Sequence, residues 1–110
     1  MRAAKFRRLR WVLLVAAAAA TTVPAQDAGR AKAQACAVCH GPKGISVTPD
    51  APNLAGQPAL YVAAQLRAYR SGARKHEVMA VMAKPLTDDD IQQLAAWYAS
   101  IRVEATLPPN

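Results

Sequence analysis

Cys36-Ala37-Val38-Cys39-His40 is a C-x-x-C-H motif, the attachment signal of a c-type haem. The spacing follows from the chemistry. Two thiols three positions apart on a helical turn can each add to one vinyl group of a porphyrin. The imidazole that follows then lies under the iron as its proximal ligand. Competing readings of a bare C-x-x-C lose ground here. The chain has only these two cysteines and one further histidine, His76, too few for a four-ligand structural zinc site. No βαβ pattern surrounds the motif to make it a thioredoxin-like dithiol. A disulfide across two residues is strained. The expected cofactor is one haem c, held by thioethers at Cys36 and Cys39 and by His40 on the iron.

Upstream, Arg2, Lys5, Arg7, Arg8 and Arg10 precede an apolar run from Trp11 to Val23, and Val23-Pro24-Ala25 ends it with small residues. This is the layout of a secretory signal peptide, with cleavage expected after Ala25. The run is 13 residues long, against the roughly 20 that span a bilayer, so an uncleaved anchor is the weaker reading. Export reverses the charge argument. The chain carries 14 basic and 7 acidic residues, a net of +7 that suggests nucleic acid. Five of the basic residues lie in the leader, and the remainder holds nine basic and seven acidic, a net of +2. A nucleic-acid role loses its main support. The expected organisation is a cleaved leader over 1–25, a haem domain over 26–103 and a loose tail over 104–110.

The remaining 85 or so residues make one thin core, and small domains of that size need a staple. Covalent haem supplies it. Asp27 is placed to cap a first helix that runs through an alanine-rich segment into the cysteine motif. Gly29 is costly inside a helix, by about 1 kcal/mol. It is either a simple tolerance of the first turn or a point where another helix comes close. From Gly41 to Gln57, glycines and prolines break any regular element. A loop of that length needs a purpose, and wrapping one edge of the haem is one. A ligating histidine wants an acceptor on its second ring nitrogen, and the carbonyl of Pro52 is the candidate.

Pro58 opens a second helix and Gly72 stops it near Ser71. Val62, Leu66 and Tyr69 share one face, and Tyr61 and Gln65 share a neighbouring stripe. Arg67, Arg70, Arg74 and Lys75 form a basic set that reads as a solvated face, a docking patch or a partner for haem propionates. Residues 73–86 read as a second loop, holding Met79 and Met82, with His76 a rival for the sixth iron position. Thr87 is the N-cap of a last helix. Asp88, Asp89 and Asp90 suit its positive end, and Leu86 and Ile91 are spaced as a hydrophobic staple. Ile91, Leu94, Ala95, Tyr98 and Ile101 form its apolar face.

Three helices with two haem-wrapping loops define an all-α fold. In these residues the chain resembles a class I cytochrome c, most closely the single-haem relatives of the cytochrome c4 and c553 group. The resemblance runs from about Asp27 to Arg102. It is carried by Gly29 seven residues before Cys36, by Cys36 to Gly41, by Pro52-Asn53-Leu54-Ala55-Gly56-Gln57, by Tyr61, Gln65 and Leu66, by Met79-Ala80-Val81-Met82 before Leu86-Thr87-Asp88, and by Leu94-Ala95-Ala96-Trp97-Tyr98. It implies that Gly29 packs the first helix on the last. It also implies that Met79 is the distal iron ligand, with Met82 the alternate, and that Tyr61, Gln65 and Arg74 border the haem or its propionates. Cytochromes c4 proper carry two such domains, and this chain has length for one.

The function this implies is periplasmic electron transfer, with both axial positions filled and no small-molecule substrate. The expected partners are redox proteins: a membrane quinol-oxidising complex or periplasmic dehydrogenase on one side, a terminal oxidase or reductase on the other. The alternatives are a haem-binding subunit of a larger periplasmic oxidoreductase and a ligand-binding or peroxidase-like haem protein with a labile sixth ligand. For the last, His76 with Glu77 is the one distal acid and base pair on offer.

Overall fold

The computed structural model describes residues 24–110. The leader expected over 1–25 lies almost wholly outside them. Five helices follow in order: α1 Ala25–Lys32, α2 Ala37–His40, α3 Ala59–Ser71, α4 Glu77–Ala83 and α5 Asp88–Ser100. No strand occurs among the described residues. The three longer helices pack together, with α5 at the centre.

One face of α5 explains that arrangement. Ile91, Leu94, Ala95 and Tyr98 recur at helical spacing and are all buried. Ile91 and Ala95 pack on Val62 and Ala63 of α3, while Leu94 and Tyr98 pack on Ala33 just past α1. Leu66 and Leu86 touch both groups and join them into one core. α1 crosses α5 at Gly29. A Cβ there would land on the carbonyl oxygen of Gln93 and come within 2.8 Å of the Trp97 Cβ. The costly helical glycine is therefore a helix-crossing point.

The start of α5 is built as its sequence suggests, and more tightly. Thr87 Oγ1 accepts from the Asp90 amide at 3.1 Å, and Asp90 Oδ2 accepts from the Thr87 amide at 2.9 Å, a full capping box. Leu86 packs beside Ile91, as a staple requires. At the end of α3, Gly72 takes the left-handed conformation at φ 83° that only glycine adopts freely, and the helix stops there.

Three local expectations need correction. α1 starts at Ala25, not behind a cap at Asp27. Pro24 occupies the cap position with its carbonyl receiving the Asp27 and Ala28 amides, and Asp27 sits in the first turn with no cap bond. α1 also does not run into the cysteines. Between Ala31 and Cys36 its bonds tighten to the i to i+3 pattern, which ends one axis and lets α2 begin another. Finally, the segment 73–86 is not all loop, because α4 makes two turns within it. Its alanine, methionine and glutamate residues support helix, and its short length between Gly72 and Pro85 hid it.

The loop from Gly41 to Gln57 holds itself together. Gly44 O accepts from both Leu54 N at 2.8 Å and Ala55 N at 2.9 Å. Ser46 N donates to Asn53 Oδ1 at 2.7 Å, and Val47 N donates to Cys39 O at 3.1 Å. Gly56 N then ties the end of the loop to Tyr98 O at 2.9 Å. A long loop cross-linked by these bonds behaves as a packed unit.

Candidate haem site

α2 is one turn long and exists to present three side chains. Cys36 stands at its N-cap, and Cys39 and His40 end it. Gly41 follows at φ 79°, and a Cβ there would strike the Ile45 carbonyl, so the chain can leave the helix this sharply only through glycine. Both cysteines are free and half-buried. His40 is 8 % exposed, the one buried polar side chain of the described residues.

The orientation of His40 is fixed by the long loop. Its Nδ1 donates to the carbonyl oxygen of Pro52 at 2.8 Å. A neutral imidazole that donates from Nδ1 keeps its lone pair on Nε2. That is the tautomer a metal-binding histidine needs, held by the kind of outer acceptor that fixes a ligand ring. The residues present fit a haem on this test. Two unpaired thiols flank a histidine whose second nitrogen is already spent. Elsewhere on the surface, Tyr61 on α3 and Val78, Val81 and Met82 on α4 are exposed apolar side chains of the kind a flat macrocycle covers.

Cys36 lies against the last helix as well. Burial pushes its thiol above the ordinary value, and contact with Tyr98 pulls it back in part. The Tyr98 hydroxyl is pushed strongly upward, first by burial and then by Cys36. It is buried without a hydrogen bond of good geometry, so the sulfur is a neighbour to it and not a full partner. By sequence Tyr98 is only one member of an apolar face. Nothing local announces that a residue 62 positions away will meet the first cysteine.

The other candidates fall into two groups. Met79 is half-buried within α4, while Met82 is 40 % exposed and belongs to the apolar surface of that helix. Gln65 and Arg74 meet, with Arg74 Nη1 donating to Gln65 Oε1 at 2.7 Å, and the guanidinium lies 4.8 Å over the ring of Tyr69. Tyr61 stands half-exposed at the start of α3. His76, the rival ligand, is engaged by the backbone, since its Nδ1 accepts the Met79 amide at 3.2 Å.

The basic set on α3 is mostly structural. Arg70 donates to Leu86 O at 2.9 Å and Asp88 Oδ1 at 2.7 Å, and Arg67 stands 3.9 Å from the same carboxylate. Two of the three aspartates are likewise committed, Asp88 to Arg70 and Asp90 to Lys32 at 2.6 Å. Among the described residues no cluster of three or more His, Cys, Asp or Glu could hold a bare metal ion.

Comparison with known proteins agrees with this geometry. The family model described as cytochrome c matches residues 26–102. A cytochrome c4 from Thiocapsa roseopersicina is 46% identical over 84 residues, covering 76% of this chain and 43% of that protein. A thiosulfate dehydrogenase electron acceptor from Stutzerimonas stutzeri is 40% identical over 74 residues, covering 64% of this chain and 34% of that one. The chain thus spans less than half the length of these relatives. Cytochrome c-554(548) from Halomonas halodenitrificans is of similar size, 43% identical over 76 residues, with 66% of this chain and 92% of that protein covered. Among solved structures, reduced cytochrome c4 from Pseudomonas stutzeri superposes with a TM-score of 0.66 at 35% identity, over 70% of this chain and 45% of that one. A match that runs from the first helix to the last, on a fold that already spends one nitrogen of its motif histidine and leaves the other for a metal, means that this chain belongs to the cytochrome c family and carries one covalently bound haem c.

Proposed function

We propose that the chain is a periplasmic single-electron carrier with His40 and Met79 as the axial ligands of its haem iron. One observation carries the reading: His40 is buried with Nδ1 bonded to Pro52 O, which leaves Nε2 for the iron, and the family resemblance supports Met79, half-buried in α4, as the sixth ligand. The haem supplies a one-electron couple. Cys36 and Cys39 keep it from dissociating, and the Pro52 carbonyl holds the His40 ring in one orientation. A neutral thioether from Met79 favours the ferrous state and raises the potential. Gln65 and Tyr69 hold Arg74 where its charge can meet a haem propionate, and Tyr61 borders the ring.

The basic N-terminal segment with its short apolar run supports export and cleavage after Ala25, and among the described residues no helix is long and apolar enough to cross a membrane. The partners of such a carrier are redox proteins. A quinol-oxidising complex or dehydrogenase would donate, and a terminal oxidase or reductase would accept. No nucleic acid and no small-molecule substrate enters this reading. Peroxidase-like chemistry is disfavoured because His76, the distal base it would need, is spent on the backbone of α4. A second reading is a dedicated acceptor subunit of a periplasmic oxidoreductase, favoured by 40% identity to a thiosulfate dehydrogenase electron acceptor.

The test is the absorption spectrum of the exported, haem-matured protein, oxidised and reduced, with and without carbon monoxide. A low-spin spectrum with a sulfur-to-iron band and no carbon monoxide response is expected. A high-spin or carbon-monoxide-sensitive spectrum would overturn the carrier reading. Co-purification with a stoichiometric partner would select the subunit reading.

A further inference from the structure

We propose that His76 is a positioning residue for Met79, acting through the backbone of α4. The inference rests on Met79 being the sixth iron ligand. His76 is the N-cap of α4, extended at φ −161° and ψ 125°. Its Nδ1 accepts the hydrogen bond of the Met79 amide, so the backbone atom fixed by the cap belongs to the same residue as the thioether. With Nδ1 accepting, the neutral ring carries its proton on Nε2.

A cap matters more here than on a longer helix. α4 has seven residues, and helices shorter than about 12 residues do not hold by their own hydrogen bonds. Its first internal bond is that of Ala80 N to His76 O at 2.9 Å, which leaves the Glu77, Val78 and Met79 amides without helical partners. The His76 side chain satisfies the third of these. The chain reaches α4 through a glycine stop and a short irregular link tied back to α3 by Arg74 N donating to Ala68 O at 3.1 Å, and buried Ala83 anchors the far end of α4, so the cap is the fixed point of its first turn.

The histidine ring is itself oriented by α3. It meets the Tyr69 ring edge-on, with centroids 6.2 Å apart and planes at 74°. Arg74 lies over Tyr69 at 4.8 Å, and Gln65 holds Arg74 at 2.7 Å. Gln65, Arg74, Tyr69 and His76 form a continuous train from the middle of α3 to the Met79 amide. Through it the rigid helix of the core registers the short helix that carries the ligand.

The experiment compares His76→Ala, His76→Asn and Met79→Ala in the haem-matured protein. Asn places an acceptor oxygen at the same bonded position as Nδ1. The readouts are the ferric sulfur-to-iron band and the rate at which added imidazole displaces the sixth ligand. His76→Ala should keep the band and accelerate imidazole uptake about five-fold, the value of a lost cap. His76→Asn should return the rate to near that of the native chain. An unchanged rate in His76→Ala, or equal acceleration in both variants, would overturn the proposal. Persistence of the band in Met79→Ala would overturn the ligand reading instead. Amide exchange in the native holoprotein gives an answer that needs no variant: the Met79 amide should be protected and the Val78 amide not. Equal exchange at the two would also overturn it.

Discussion

Asp90 binds two elements with its two carboxylate oxygens: Oδ2 accepts from the Thr87 amide at 2.9 Å, and Oδ1 lies 2.6 Å from Lys32 Nζ beyond the crossing of α1. The first turn of α5 is thereby tied to the end of the first helix. Lys32 and the cap hold the Asp90 carboxyl down at about 2. A carboxyl depressed in the folded state stabilises the fold above its unfolded value, about 4, and that contribution fades as pH falls toward 2. Asp88, lowered chiefly by its hydrogen bond from Arg70, adds in the same direction. Asp90→Asn should therefore lower the thermal midpoint at pH 6 and leave a smaller drop between pH 5 and pH 2, read by far-UV circular dichroism. An unchanged acid limb would place the acid sensitivity elsewhere.

Thr87→Ala removes the other half of the box. It should cost about 1 kcal/mol, which for a domain this size is roughly 4–8 °C in the midpoint. The haem spectrum should not change, because the core side of α5 is untouched.

Gly29→Ala sets two effects against each other. Alanine favours helix by about 1 kcal/mol. Its Cβ would meet the Gln93 carbonyl, and two backbones cannot relieve a clash by changing rotamer. The clash should win, with a net loss of roughly 1–3 kcal/mol by chemical denaturation. A neutral or stabilised variant would mean that α1 can shift on α5 freely.

Met79→Ala should open the sixth position and lower the potential, while Met82→Ala should leave both nearly unchanged. Redox titration with a carbon monoxide difference spectrum separates them. An exchange of the two outcomes would assign the ligand to Met82.

Without haem the chain should be largely unfolded. Among the described residues the large fully buried side chains are Ile91 and Leu94, a thin core for the backbone entropy it must offset. Far-UV circular dichroism of the chain expressed without haem maturation is the check. A native-like, cooperative melt would show that the three long helices suffice.

The ends of α3 and α5 were readable because they are written locally. Proline before Ala59, glycine after Ser71 and threonine before three aspartates each act through neighbouring backbone groups. Gly29 was half-readable: its cost is local, and its reason is a helix from the far end of the chain. α4 was missed because seven residues give too little periodicity to separate from loop. The arginines were harder still. Arg70 and Arg74 are four residues apart with the Gly72 stop between them, and one grips Leu86 and Asp88 while the other lies on Tyr69 with Gln65. Helical spacing makes them neighbours, but the chain turns back after Gly72 and lays Arg74 on α3, while the packing of α3 on α5 brings Asp88 to Arg70. For the candidate site, the motif was legible as chemistry, and the approach of Tyr98 to Cys36 had no sequence signal at all.

The loop that carries the Pro52 carbonyl has a consequence for rate. The Ser46, Leu54 and Ala55 amides are held by oxygens of the same loop, and those of Val47 and Gly56 by Cys39 O and Tyr98 O, so these dipoles are not free to swing when the charge on a nearby metal changes by one. Dipoles fixed before the event need not reorient during it. Each electron passed across such a site would leave the polypeptide almost where it stood, and the inner cost of gaining or losing charge is kept small by a segment that has no regular secondary structure.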